Sequence, residues 1–258
     1  MSIILTIFRK ELAGYFKSAG FFLCCMIVAL IFTSIFIVSF IRFEGMQAQA
    51  MFNPGLNPQA LNIHYGLFMS HFSILNLILL VVAPALTMRL FAEEKKMRTF
   101  DLLLTSPITS AQIVIGKYLA AFCAMFFICL IALIYPISTA AFAQLSWGPL
   151  LSAFFSIVIL GAVYVAIDLF CSSLTDSMIV AMIMGLVFNL SLWFVGIGSD
   201  VIDSDWGRKV FEYISLNQHL MMTVEGTIKT STLIFFVSIV VFFCFLCERV
   251  VEASRWRA

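Results

Sequence analysis

Charge is scarce in this chain. Only 11% of its 258 residues are Asp, Glu, Lys or Arg, where a soluble domain carries about 25%, and mean hydropathy is +1.08. A soluble enzyme is excluded on those grounds. Fifteen cations against fourteen anions leave a formal net charge of +1, so the chain lacks the basic surplus that nucleic acid demands. The seven cysteines lie mostly within apolar runs and imply no disulfide framework. Cys24-Cys25 and the Cys244/Cys247 pair read as packing residues, not redox or zinc pairs. Histidine numbers three. His64 and His71 could share a helix face, but no third ligand stands near them, so no metal site is expected. No serine, histidine and acid follow a catalytic signature. A phosphate loop is missing as well: Gly116-Lys117 is followed by Tyr118, and the position five before Gly116 is Ala111, not glycine. Nothing here hydrolyses ATP by that route, and no catalytic residue or resident cofactor is expected.

Long apolar runs are what the chain does have. A membrane-spanning helix needs roughly 20 apolar residues, and six such runs fall at 21–41, 72–88, 118–143, 150–171, 178–197 and 233–247. The expected fold is an all-α integral membrane protein forming one domain over residues 1–258. Residues 1–19 are too charged to span, yet Ile4, Phe8, Leu12, Tyr15 and Phe16 fall on one helical side, which predicts an amphipathic helix along the membrane surface. A signal peptide is disfavoured because the following apolar run is too long and lacks a small-residue cleavage site. Residues 42–70, with Asn53-Pro54-Gly55 and Asn57-Pro58, read as a loop. Residues 199–231 form a second polar segment on the same side.

Between the second and third runs lies a charged island, residues 91–117. With Arg89 just before it, Lys95, Lys96, Arg98 and Lys117 make up a third of the fifteen cations. The positive-inside bias places this island, and both termini, in the cytoplasm: eleven cations fall inside and four outside. Residues 93–104 are good helix formers, Ser106-Pro107 stops them, and Thr109 with Gln112 reads as the capping box of the next helix, with Ile108 and Ile113 at the staple positions. Asp168 falls inside the fourth run, and an intramembrane carboxylate raises the question of gating or coupling. Its insertion costs about 3 kcal/mol, while the twelve Leu, Ile, Val and Phe residues of 150–169 return roughly 4–7. A paired or water-reaching residue is therefore the stronger reading, with gating or coupling the alternative. The fifth run holds Met178, Met182 and Met184 among Ala181, Gly185 and Gly196, which permit close, adaptable helix packing.

The island, FAEEKKMRTFDLLLTSPITSAQIVIGKYL, resembles the motif of type-2 ATP-binding-cassette (ABC) transporter permeases, in particular the gliding-motility and nitrous-oxide-reductase-maturation branch. Where that family usually has Gly-Thr after the charges, this chain has Arg98-Thr99. FRKELAGYFKSAGFF resembles the family's elbow helix, with Lys10, Glu11 and Leu12 at its Lys-Glu-Leu, although Ser18-Ala19 replaces the frequent Ser-Pro. YISLNQHLMMTVEGTIKTSTLIFF is similar to the segment before the last span. The resemblance implies an elbow helix, six spans and a cytoplasmic coupling helix. Two such subunits, identical or sister permeases, would each dock a separate cytoplasmic ATPase that binds ATP and Mg. It makes Glu93, Glu94, Lys95, Lys96, Arg98, Thr99, Asp101, Ser106 and Pro107 the ATPase-coupling residues, and Gly185 part of a moving interface between the second and fifth spans. It also implies a multi-pass protein of a bacterial inner membrane. The alternatives are an ATP-independent six-span transporter or channel, and a subunit that transmits mechanical work to an external partner protein.

Overall fold

The computed structural model describes residues 3–52, 62–100, 105–139, 146–198 and 230–255. Helix α1 spans Ile3–Lys17 and α2 Ala19–Phe52; a π-helical turn, His64–Phe68, runs directly into α3, Met69–Lys96. Then come α4 (Ser110–Ser138), α5 (Trp147–Leu174), α6 (Met178–Gly198) and α7 (Thr230–Arg255). No strand occurs among the described residues. Six helices, all but α1, are long and apolar enough to cross a membrane.

Helices that are apolar on every side must be covered by protein or by lipid, and burial separates the two cases. In the most apolar window of α5, 78% is buried within the chain, and in that of α3 61%, against 17% for α6 and 22% for α7. The pair α3 and α5 is therefore the core, and α2, α6 and α7 turn most of their surface outward. Small residues let the backbones close up, as membrane helices require. A Cβ on Gly161 would stand 2.6 Å from Met125 Sδ, and one on Gly116 would stand 2.8 Å from Ile7 Cγ2. The second contact seats α1 directly on α4. Polar seams fix the register: Tyr164 Oη donates to Asn76 Oδ1 at 3.0 Å, Ser172 to the Met88 carbonyl at 3.0 Å, and His71 Nε2 to the Ala132 carbonyl at 2.9 Å.

Two boundaries differ from the sequence expectation. Helix α2 continues past residue 41 to Phe52, because residues 42–52 lose hydrophobicity but keep helix formers such as Glu44, Met46, Gln47, Ala48 and Ala50. The loop expected over 42–70 is thus largely helical at both ends, and 53–61 fall outside the described residues. The segment 199–231 also falls outside them, except for Thr230 and Ser231, which open α7.

The second difference lies in the island. A single helix over 93–104 does not form; residues 93–96 are the last turn of α3. Thr99 N–H returns to the Glu94 carbonyl at 3.0 Å and Arg98 N–H to that of Lys95 at 3.1 Å, the paired bonds of a Schellman stop. Arg98 sits at its left-handed position with φ of 55°, a conformation that costs a non-glycine residue roughly 1–2 kcal/mol. Arg98→Gly is therefore expected to raise stability by about 1 kcal/mol, since it keeps the bend and removes the Cβ conflict. Thermal unfolding of the purified protein checks this, and a lowered melting temperature would show that the Arg98 side chain outweighs its backbone strain.

Candidate functional site

After the Arg98 turn the chain folds back. Phe100 packs edge-on against Phe91 with ring centroids 6.0 Å apart, and α4 begins with the expected capping box. Thr109 accepts from the Gln112 backbone at 3.4 Å while the Gln112 side chain accepts from the Thr109 N–H at 3.2 Å. The described residues on either side of 101–104, between α3 and α4, are thus tied down by three other elements.

On one side stands α1. The Lys117 side chain is 0% exposed and its Nζ lies 3.0 Å from Glu11 Oε1. It also lies 2.9 Å from Glu94 Oε2, paired by charge although off the hydrogen-bond angle, and it donates to the Leu90 carbonyl at 2.7 Å. Lys10 closes the square at 3.3 Å from Glu11 and 3.2 Å from Glu94. Burial alone would push the Glu11 carboxyl up and Lys10 down; the opposing charges overrule it, holding Glu11 below the usual carboxylate range and Lys10 above the usual lysine value. Both stay charged at neutral pH. On the other side stands the end of α7. Arg255 donates to the Ile108 carbonyl at 2.6 Å, and Ser110 donates to Glu252. The end of α5 contributes the Ser173 carbonyl, which accepts from Lys95 Nζ.

The predicted coupling residues therefore separate into two groups. Glu94 and Lys95 spend their charges inside the chain, and the Ser106 carbonyl faces Arg255 at 3.4 Å. Lys96, Arg98, Thr99 and Pro107 are exposed and Glu93 is half-buried; Met97 between them is 66% exposed. Asp101 lies outside the described residues. In α1, Lys10 and Glu11 join the charge square and Leu12 packs against the core. Sequence reasoning counted Lys117 as one of the island's cations and missed its role as the buried centre of the square.

A second cluster lies within the bundle. Asp168 on α5 is 1% exposed, which removes the water-reaching alternative. Both of its carboxyl oxygens accept from Asn189 Nδ2 on α6, at 3.0 and 3.1 Å. One turn earlier on the same face, Gly185 makes room for it: a Cβ there would lie 2.5 Å from Asp168 Oδ1 and 3.2 Å from Pro84 Cβ on α3. Asp168 and Gly185, singled out separately in the sequence, are thus one junction of α3, α5 and α6. The Asn189 amide oxygen is buried there without a partner.

Among the described residues no three His, Cys, Asp or Glu side chains gather as a metal site, and all seven cysteines are free thiols. Residues 5–243 match the family model described as ABC-2 family transporter protein. Among curated proteins none matches the chain.

Proposed function

We propose, because the chain belongs to the ABC-2 family of transporter proteins, that this multi-pass permease is driven by a separate cytoplasmic ATPase docked on residues 96–109. The observation that carries the reading is the mounting of that segment. Its exposed side offers Lys96, Met97, Arg98 and Thr99, while its flanks are fastened to α1, α5 and α7 by Glu94, Lys95, Ile108 and Ser110. A push on it is delivered to several helices at once instead of being lost in a slack connector. The charge pattern suits a partner surface of mixed sign, and ATP with Mg belongs to that partner.

In this reading both termini and the 96–109 segment face the cytoplasm of a bacterial inner-membrane protein. A second copy or a sister permease completes the assembly. The island's motif resembles that of the gliding-motility and nitrous-oxide-reductase-maturation branch. Buried polar groups of the described residues bond across helix seams, as in Tyr164–Asn76 and Asp168–Asn189. This favours transmission of movement between helices, toward export between subunits or toward an external partner, over an ATP-independent conduit within one chain.

The test reverses the outward charges and spares the internal square: Glu93→Lys, Lys96→Glu and Arg98→Glu together, with Glu94 untouched. Co-purification of untagged ATPase is expected to be lost, while the melting temperature changes little, as surface substitutions stay within about 0.5 kcal/mol. A triple variant that still pulls down active ATPase would remove this segment as the docking surface.

A further inference from the structure

The charge square does not take in every cation of this region. Arg89, on α3, has no carboxylate within ion-pairing distance among the described residues. Its guanidinium instead lies over the Tyr15 ring, 4.3 Å from the centroid, and Tyr15 is held in place by donating to the Leu86 carbonyl at 2.7 Å. The guanidinium also engages the Tyr15 hydroxyl, and of its five N–H donors the others remain to grip a phosphate.

Arg89 stands between two clefts. The larger, about 420 Å³, is lined by Lys10 as well as Glu11, Glu93 and Glu94, and three carboxylates beside the two cations Lys10 and Arg89 disfavour an anion. The smaller, about 220 Å³, is walled by Tyr15, Ser18, Gly20, Phe21 and Leu86, with no acidic residue in its lining. It opens where α1 turns into α2, and it is smaller than the roughly 300–1,000 Å³ of a typical small-molecule site. Arg89 lies seven residues before the Lys96 end of its helix, about 10 Å at 1.5 Å per residue, and a long basic side chain near the end of a span can snorkel to the headgroups. Lys17, the exposed last residue of α1, adds positive charge to the same corner.

We propose that this smaller cleft binds one anionic phospholipid of the surrounding bilayer: its phosphodiester pairs with the Arg89 guanidinium, and the start of an acyl chain lies against Phe21 and Leu86. The lipid fills the corner between the amphipathic helix, the first span and the second span. It thereby adds to the seat of α1, which the protein itself fastens at the Gly116 contact, the charge square and the Tyr15–Leu86 bond. The site stands on this chain alone and is independent of any ATPase.

The experiment uses the full chain in detergent, with native mass spectrometry counting retained dioleoyl phosphatidylglycerol against dioleoyl phosphatidylcholine. One phosphatidylglycerol is expected to be retained with about a tenfold preference, equivalent to one charge-assisted contact. Arg89→Gln is expected to bring the preference close to one. Gly20→Phe tests the chain-binding part without touching the charge. A Cβ at Gly20 meets only Ser18 Oγ at 3.5 Å, so the backbone tolerates the substitution while the ring blocks the cleft, and retention should fall. Equal retention of the two lipids by the unaltered protein, or an undiminished preference in Arg89→Gln, would overturn the proposal. Displacement by millimolar inorganic phosphate combined with full binding by Gly20→Phe would make this a free-phosphate site and overturn it equally.

Discussion

Lys117→Met is expected to release α1 from the bundle and to cost about 3–5 kcal/mol, the loss that follows when one partner of a buried ion pair is removed. The size follows from where the charge sits. Lys117 is fully buried and serves Glu11, Glu94 and the Leu90 carbonyl together. Without it, two carboxylates with only 15–16% of their side chains exposed would depend on Lys10. The Lys10 side chain is 63% exposed, so water screens what it offers. Thermal unfolding in detergent measures the loss, and the rate at which protease frees α1 locates it. Replacing Glu11 and Glu94 by Gln in the Lys117→Met background is expected to recover much of the stability, because no uncompensated charge then remains inside. An unchanged melting temperature in Lys117→Met would show that the square is not what holds α1.

Gly185→Ile has the second large expected effect, on coupling more than on assembly. The first carbon of any side chain at 185 meets Asp168 Oδ1 at 2.5 Å, and Pro84 prevents a shift the other way. Asp168 can swing clear only by giving up Asn189, and the added methylenes cost about 1–3 kcal/mol of overpacking. Helix α6 therefore has to stand off from α3 and α5. Under the proposed mechanism the variant assembles and ATP hydrolysis continues, while export or external work stops. Removing the obstructing group should undo part of the damage: the Gly185→Ala, Asp168→Ala double variant is expected to show a coupling of roughly 0.5–3 kcal/mol between the sites. A Gly185→Ile protein that hydrolyses ATP and supports full function would remove this junction from the moving parts.

Much of this architecture was legible in the residues because a bilayer imposes a length rule. Six apolar runs become six helices, and the Thr109/Gln112 capping box forms as read, since its two bonds join residues three apart. Two kinds of information were hidden. The stop at Arg98 needs a left-handed residue, and arginine gives no sign of adopting one; only the family's usual glycine at that place pointed to a bend. The charge square joins residues 106 apart in the case of Glu11 and Lys117, and no local spacing reports such a partner. The same holds for Asp168 and Asn189, 21 residues apart on different helices, whose meeting depends on how α5 and α6 pack. Hydropathy also ends α2 too early, because it measures lipid solubility and not helix propensity.

The long reach of these fastenings has a consequence for synthesis. A chain is made and inserted from its N-terminus at about 5–20 residues per second, so Glu11 and Glu94 enter the membrane interface before Lys117 exists to neutralise them. The first helix stays unlatched until the third span arrives. The opposite flank waits longer still: Arg255 reaches back 147 residues to Ile108. The segment proposed to receive the ATPase thus gains its second support only once α7 is made. A nascent or truncated chain lacking α7 would present it without the Arg255 and Glu252 bonds, half-supported.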